Sequence, residues 1–250
     1  MSEGPSWILL RGLMRDGRHW GGFPEAFAAA MPGARIERVD FPGNGGLHAQ
    51  ASECSVEAMA DGCRAELLRR GLQPPYRLLA MSLGAMVVAS WASRHPEEVD
   101  AAVLISTSLR PFSPPHWRLR PQAWTTLLRL ALLPPPAREI ERRILRLTSR
   151  LRPEAGPLLD DWTAWREQCP VAPANALRQL WAAARYVAPR QPPATRLLLL
   201  ASARDELVDW RCSQRLAAQW QCPLRVHPQA GHDLPLDDGT WVIEQIRDWL

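Results

Sequence analysis

A serine hydroxyl becomes a useful nucleophile only beside a base, normally a histidine held by a carboxylate. The stretch Tyr76-Arg-Leu-Leu-Ala-Met-Ser82-Leu-Gly84-Ala-Met-Val-Val offers such a serine, because a strand-like apolar run passes through Ser-x-Gly directly into a helix-like one. So tight a turn strains the serine backbone and leaves no room for bulk two residues to either side, which fits Ala80 and Gly84. Ser-x-Gly is cheap by itself, and Ser2-Glu-Gly4 is a second instance with no such junction. A serine at a helix start can also do no more than cap it. The acid and the base are expected downstream in that order. Arg204-Asp205-Glu-Leu-Val-Asp209 follows one apolar run, and Ala230-Gly-His232-Asp233 follows another. Asp205 comes first after its run and precedes Leu207 and Val208, so it is preferred; Glu206 and Asp209 remain alternatives. Of six histidines only His232 has the right address: His19 begins a helix, His48 follows a glycine loop, His95 precedes Pro96, His116 lies far from any strand and His227 ends one. Ser82, Asp205 and His232 are thus the candidates for nucleophile, orienting acid and general base in acyl transfer.

These residues need a frame that brings three distant loops to one edge. Residues 6–10, 35–41, 76–81, 99–107, 196–203 and 224–227 read as strands; residues 20–31, 55–70, 83–93, 212–220 and 241–250 read as helices between or after them. Ser55 is placed to cap one helix and Gly71 to stop it. Apolar strands alternating with helices predict an α/β fold with a mostly parallel, doubly wound sheet covered on both faces. Catalytic loops are then expected past the carboxyl ends of the strands. The alternation breaks between residues 110 and 192, where proline-divided helical stretches (124–133, 139–151 and 175–186) occur without a strand. An all-helical cap over 110–192, inserted into a core of 1–109 and 193–250, is the expected division.

Composition removes other chemistries. All thirty basic residues of the 250 are arginine, so Schiff-base aldolases, pyridoxal-phosphate enzymes and Walker-type phosphate loops, which need a lysine, are excluded. The five cysteines are scattered and never form Cys-x-x-Cys, which predicts reduced thiols, no disulfide and no structural metal. No cofactor is expected. A net charge of +4, two tyrosines and no basic-aromatic motif give nucleic-acid binding no support. No apolar run approaches the roughly 20 residues of a membrane span, and the start lacks a secretory pattern, so a cytoplasmic location is expected. The segment 110–192 holds fourteen arginines against six acids, a local balance of +8.

Four motifs resemble those of the α/β-hydrolase fold, of the serine esterase type with a helical cap inserted after the sixth strand. Leu9-Leu-Arg-Gly-Leu13 resembles the family's oxyanion loop and Val39-Asp-Phe-Pro-Gly-Asn-Gly45 the loop after its next strand. Ala80-Met-Ser-Leu-Gly84 resembles the nucleophile elbow, and Ala230-Gly-His-Asp233 the histidine loop. The family commonly has His-Gly where Arg11-Gly12 stands. The resemblance implies an oxyanion hole made by the backbone N–H groups of Leu13 and Leu83, and hydrolysis of small or medium carboxylic esters through a seryl acyl-enzyme. Five tryptophans in the helical segment suit an apolar acyl or aromatic substrate. The length and the cap also resemble methyl-ester esterases acting on acyl carrier protein, and the +8 segment suits so acidic a partner; a thioesterase is a related reading. A non-catalytic ligand-binding protein on the same scaffold is the alternative from another class.

Overall fold

Side chains alternate along each strand, and the two faces of this sheet bury different sets. Ile8, Leu10, Leu78 and Ala80 enter one core; Trp7, Leu9, Leu79 and Met81 enter the other. Such two-sided burial makes these strands continuously apolar instead of alternating with polar residues. The computed structural model describes residues 5–132, 135–152 and 156–250.

The strands are β1 (Ser6–Leu10), β2 (Arg35–Val39), β3 (Tyr76–Met81), β4 (Val99–Ile105), β5 (Arg196–Ser202) and β6 (Leu224–His227). They form one parallel sheet in the order β2-β1-β3-β4-β5-β6. The helices among the described residues are α1 (Phe23–Ala30), α2 (Val56–Arg69), α3 (Leu83–Arg94), α4 (Pro115–Arg118), α5 (Pro121–Leu132), α6 (Ala137–Thr148), α7 (Gly156–Gln168), α8 (Pro173–Arg185), α9 (Arg211–Trp220) and α10 (Leu234–Trp249). Helices α2, α3 and α9 pack on one face through Met59, Val87, Trp91 and Leu216, while α1 and α10 cover the other through Phe27, Val242 and Ile246. The α/β, doubly wound parallel expectation therefore holds.

Local signals act as the residue types require. Ser55 Oγ accepts from Ala58 N (3.1 Å) at the start of α2. At the other end Gly71 takes φ of +77°, and Leu72 N donates back to Leu67 O, closing a left-handed cap. The last helix begins seven residues before the expected Trp241, because Pro235 fits a first helical turn; a kink at Asp238 separates its two parts. Strand β2 stops at Val39, short of Phe41.

Helices α4 to α8 lie between β4 and β5, so they follow the fourth strand of six in this chain, not a sixth. Their two ends are pinned together where Ala188 N donates to Arg110 O (2.8 Å). Helix α7 was not expected: only Leu159 and Trp162 of it are buried, too narrow a stripe for periodicity to reveal. Of the residues expected in helices, Leu133 lies outside the described residues. Among the described residues no helix is long and apolar enough to cross a membrane.

Candidate active site

The order reverses at β1, with β2 on one side and β3 on the other, and such a switch opens a crevice at the carboxyl edge. Ser82 follows β3 there with φ 54° and ψ −119°, and its hydroxyl makes no cap to α3. The simple capping role is thereby set aside. A non-glycine residue at such φ costs about 1–3 kcal/mol, and the surroundings hold it: Ser82 N donates to Ile105 O (2.9 Å), and Ala85 N donates to Ser82 O (3.1 Å). Gly84 is obligatory, because a Cβ there would sit 2.5 Å from Arg11 O and 2.7 Å from Leu10 O. The closeness of β1's end to the turn sets that demand.

Past β5, Asp205 is buried, and its Oδ1 accepts from Leu207 N (2.8 Å) and Val208 N (2.9 Å). Its Oδ2 lies 2.8 Å from His232 Nδ1. In the neutral tautomer that donates from Nδ1 to this carboxylate, Nε2 carries the lone pair. His232 is 3% exposed and lines a cavity of about 810 Å3 together with Ser82, Leu83, Gly12 and Leu13. The alternative acids are engaged elsewhere: Asp209 binds Arg211 (2.6 Å), and Glu206 binds Arg150 (2.7 Å). Leu83 is the first residue of α3, so its N–H has no acceptor inside the helix and is free to face the cavity.

Three positioning features were not legible in the sequence. Arg11, where the family commonly has histidine, forks onto Asp233, with Nη1–Oδ1 at 3.1 Å and Nη2–Oδ2 at 2.5 Å, and its guanidinium lies over the Trp20 ring. Burial is the largest influence on the Asp233 carboxyl and would raise it; the Arg11 charge and hydrogen bonds, with the charges of His232 and Arg15, together outweigh it and hold the carboxyl below its ordinary value. Ser106, at φ 49°, donates from Oγ to His232 O (2.9 Å). Gln179 of α8 is fully buried; its Oε1 accepts from Met14 N (2.9 Å), and its Nε2 donates to Asn44 Oδ1 (2.7 Å). That bond ties the loop carrying Leu13 to the Gly-Asn-Gly loop after β2. The only signal available for Gln179 was an amide on a helix face otherwise rich in alanine and leucine.

The cavity wall is mainly apolar, with Met86, Trp124, Leu127, Ile144 and Val208 among its residues. Among the described residues one group brings three side chains able to ligate a metal together, His95, Glu97 and Glu98, with ligand atoms within 4.8 Å. Glu98 is already held there by Arg64 (2.6 and 2.8 Å) and Trp91 Nε1 (2.8 Å), as a structural carboxylate would be.

The sequence profile of the alpha/beta hydrolase fold family matches residues 8–239. Among curated proteins, the pimeloyl-[acyl-carrier protein] methyl ester esterase of Chromobacterium violaceum is 30% identical over 110 residues, 44% of this chain and 40% of the relative. The protein of the same name from Aromatoleum aromaticum is 32% identical over 108 residues, 42% of this chain and 38% of the relative. The alignments thus span about two fifths of these relatives' lengths. Among solved structures, an esterase from Rhodococcus sp. ECU1013 superposes with TM-score 0.79 at 18% identity, covering 99% of this chain and 90% of that one. A thermophilic esterase from Thermogutta terrifontis superposes with TM-score 0.76 at 20% identity, covering 98% and 89%. A parallel sheet with a strained serine turn at its carboxyl edge, together with a profile matching almost the whole chain, places this protein in the alpha/beta hydrolase fold family.

Proposed function

We propose that the protein is a serine hydrolase of carboxylic esters, with Ser82 as nucleophile, His232 as general base and then acid, and Asp205 orienting His232. The observation that carries this reading is the buried Asp205–His232 hydrogen bond of 2.8 Å opening on the cavity that Ser82 lines. In the reaction His232 Nε2 takes the Ser82 proton as Oγ bonds to the ester carbonyl carbon. The backbone N–H groups of Leu13 and Leu83 stabilise the oxyanion. Collapse breaks the carbonyl–alkoxy bond, and the alcohol leaves with the proton from His232. Water then adds to the acyl-enzyme by the same route, releasing the acid and restoring the serine. No metal or cofactor takes part.

The reading includes residues 110–192 as a cap over a core of 1–109 and 193–250, and a cytoplasmic location. A fluorophosphonate probe tests the first step: it labels the protein at Ser82, and Ser82→Ala abolishes labelling. A protein that binds esters without labelling or turnover would be the non-catalytic alternative.

The local similarity to pimeloyl-[acyl-carrier protein] methyl ester esterases supports a second reading, in which the ester is borne on an acidic carrier protein. Part of the basic excess of 110–192 is met by acids outside the segment, since Arg120 binds Asp209 and Arg150 binds Glu206. On this reading kcat/KM for a carrier-borne ester falls steeply between roughly 50 and 300 mM salt while that for a neutral short ester does not. Equal salt dependence sinks the carrier and leaves a small-ester hydrolase.

A further inference from the structure

One corner of the apolar cavity is polar and incompletely satisfied. Arg118, at the end of α4, donates from Nη2 to Ala183 O (2.8 Å), but its Nε is buried and has no hydrogen-bond partner. Ser113 is buried as well, and its Oγ meets no strong hydrogen-bond partner, only the weakly bonding Cys212 thiol. Ser108 Oγ donates to the Arg118 carbonyl (3.3 Å), which fixes the backbone of the corner. Arg110 stands alongside, its Nη1 directed to Ala184 O (3.4 Å), and all four residues line the same cavity as Ser82 and His232.

Neither Arg110 nor Arg118 forms an ion pair among the described residues, although most arginines near the site do: Arg11 binds Asp233, Arg15 and Arg166 bind Glu141, and Arg120 binds Asp209. The C-terminal carbonyls of α8 satisfy part of each guanidinium and favour its charge. They are half-charges at most and leave an excess positive charge. Burial, and after it the Arg110 charge, lowers the Arg118 pKa, the signature of a cation short of a counter-ion. A buried unpaired donor costs about 1–3 kcal/mol, more when charged, so such a group facing a ligand cavity is set to recover that cost from a ligand acceptor.

We propose that Arg118, with Ser113 and Arg110, forms an anion subsite that receives the far end of the substrate, so that the preferred ester carries an anionic oxygen group, carboxylate or phosphate, on its acyl chain. The apolar wall takes the methylene chain, Ser82 takes the ester carbonyl, and the guanidinium takes the terminal anion in a charge-assisted hydrogen bond. This rests on the ester-hydrolase reading above, which leaves the acyl chain undefined.

The test uses methyl esters of matched chain length ending in methyl, carboxylate or phosphate, with the full-length protein. Expected in the wild type is a kcat/KM for one anionic ester at least tenfold above that for the neutral one, carried mainly by KM. The preferred head group identifies the source of the anion. Arg118→Gln lowers the ratio of anionic to neutral kcat/KM about tenfold to a hundredfold, Ser113→Ala lowers it less, and Arg118→Lys restores part of it. A wild-type ratio of one or below overturns the proposal without any variant. So does an unchanged ratio in Arg118→Gln. Binding of the free α,ω-dicarboxylate and of an alkyl phosphate to Ser82→Ala, followed by calorimetry, separates the two readings. Anion binding lost in Ser82→Ala/Arg118→Gln, in a protein that turns over no ester, retains the subsite and removes the hydrolase. Turnover of neutral esters with no anion binding does the reverse.

Discussion

Replacing Arg11 by methionine keeps most of the side chain's length but removes the guanidinium forked onto Asp233. The pair is 4% and 3% exposed, so the carboxylate left behind is cut off from water. Removing one partner of a buried ion pair costs about 3–5 kcal/mol, mostly the penalty of the orphaned charge. With a urea slope of about 3 kcal/mol/M, the unfolding midpoint falls by about 1 M or more at pH 7. In the wild type the Asp233 carboxyl is held below its unfolded value, so it stabilises above about pH 4 and that contribution is lost as pH falls through the folded value. In Arg11→Met burial prevails and the folded carboxyl lies above its unfolded value. The group then destabilises at neutral pH and ceases to do so once both states are protonated. The gap between the two proteins is accordingly widest near pH 7, begins to narrow as pH falls through the variant's raised folded value and closes once pH is below the wild type's lowered one. Urea titrations followed by far-ultraviolet circular dichroism at several pH values measure it, and Arg11→Met/Asp233→Asn recovers much of the loss at pH 7. A cost below about 1 kcal/mol at pH 7, or one independent of pH, would refute the reasoning.

Ser82→Ala, Asp205→Asn and His232→Ala each lower kcat/KM for an ester by about four orders of magnitude with the fold retained, and a double variant loses little more than the worse single one. Steady-state kinetics check this, and chelators leave the wild-type rate unchanged. Two groups of opposite sense act between about pH 6 and 4: buried His19, lowered to about 4 by burial and then the Arg15 charge, and partly buried Asp40, raised to about 6 by desolvation and then the Asp16 charge. As pH falls from about 6 to 4, neutral His19 loses stability relative to an unfolded chain that takes up the proton, while Asp40 gains it, each at about 1.4 kcal/mol per pH unit. Unfolding free energies therefore drop more steeply with acid in Asp40→Asn than in the wild type, and less steeply in His19→Asn; parallel curves would contradict this. Gln179→Leu frees Met14 N and lowers kcat about tenfold or more with little change in KM, as expected for a loosened oxyanion loop.

What could be read in the chain was what local chemistry dictates. Ala80 and Gly84 betray the strained turn because both flank it at two residues, Asp205 follows an apolar run that is a buried strand, and His232 follows the short, only partly buried strand Leu224–His227. What could not be read depends on pairings across the whole chain. Arg11 and Asp233 are 222 residues apart, and Gln179 meets Met14 across 165. Neither position carries a local pattern that distinguishes an anchor from a solvated side chain. Helix α7 escaped because its burial rests on Leu159 and Trp162, and α10 was begun late because Leu234-Pro235-Leu236 looks like the end of a loop until Pro235 is placed in a first turn.

The helices between β4 and β5 are bound to the site in ways that limit how the cavity can open. Helix α8 holds the loop carrying Leu13 through Gln179, and the residues ending and following α6 hold the loop carrying His232. There Thr148 O accepts from Asp233 N (2.8 Å), Ser149 Oγ donates to Asp237, and Arg150 N donates to Asp237 Oδ2 (2.9 Å). Breaking any one of these buried bonds costs about 1–3 kcal/mol, so swinging α6 or α8 away would cost several such terms together. Among the described residues helix α5 is tied to the core only at its start, where Arg120 N donates to Leu207 O (2.9 Å); the side-chain hydrogen bonds of Trp124 and Thr125 reach only Leu119 and Gln122. Trp124 and Leu127 line the cavity, while Trp124 and Leu128 are more than half exposed. Substrate entry is therefore expected to move α5 and leave α6 and α8 in place. Amide hydrogen exchange at pH 7 checks this: amides of 121–130 exchange well before those of 140–148 and 176–185, and covalent acylation of Ser82 slows the first group most. Equal protection of all three helices, or faster exchange in α8 than in α5, would mean that the cavity opens by displacement of the whole helical segment and that the anchors through Gln179 and Asp237 are weaker than their burial implies.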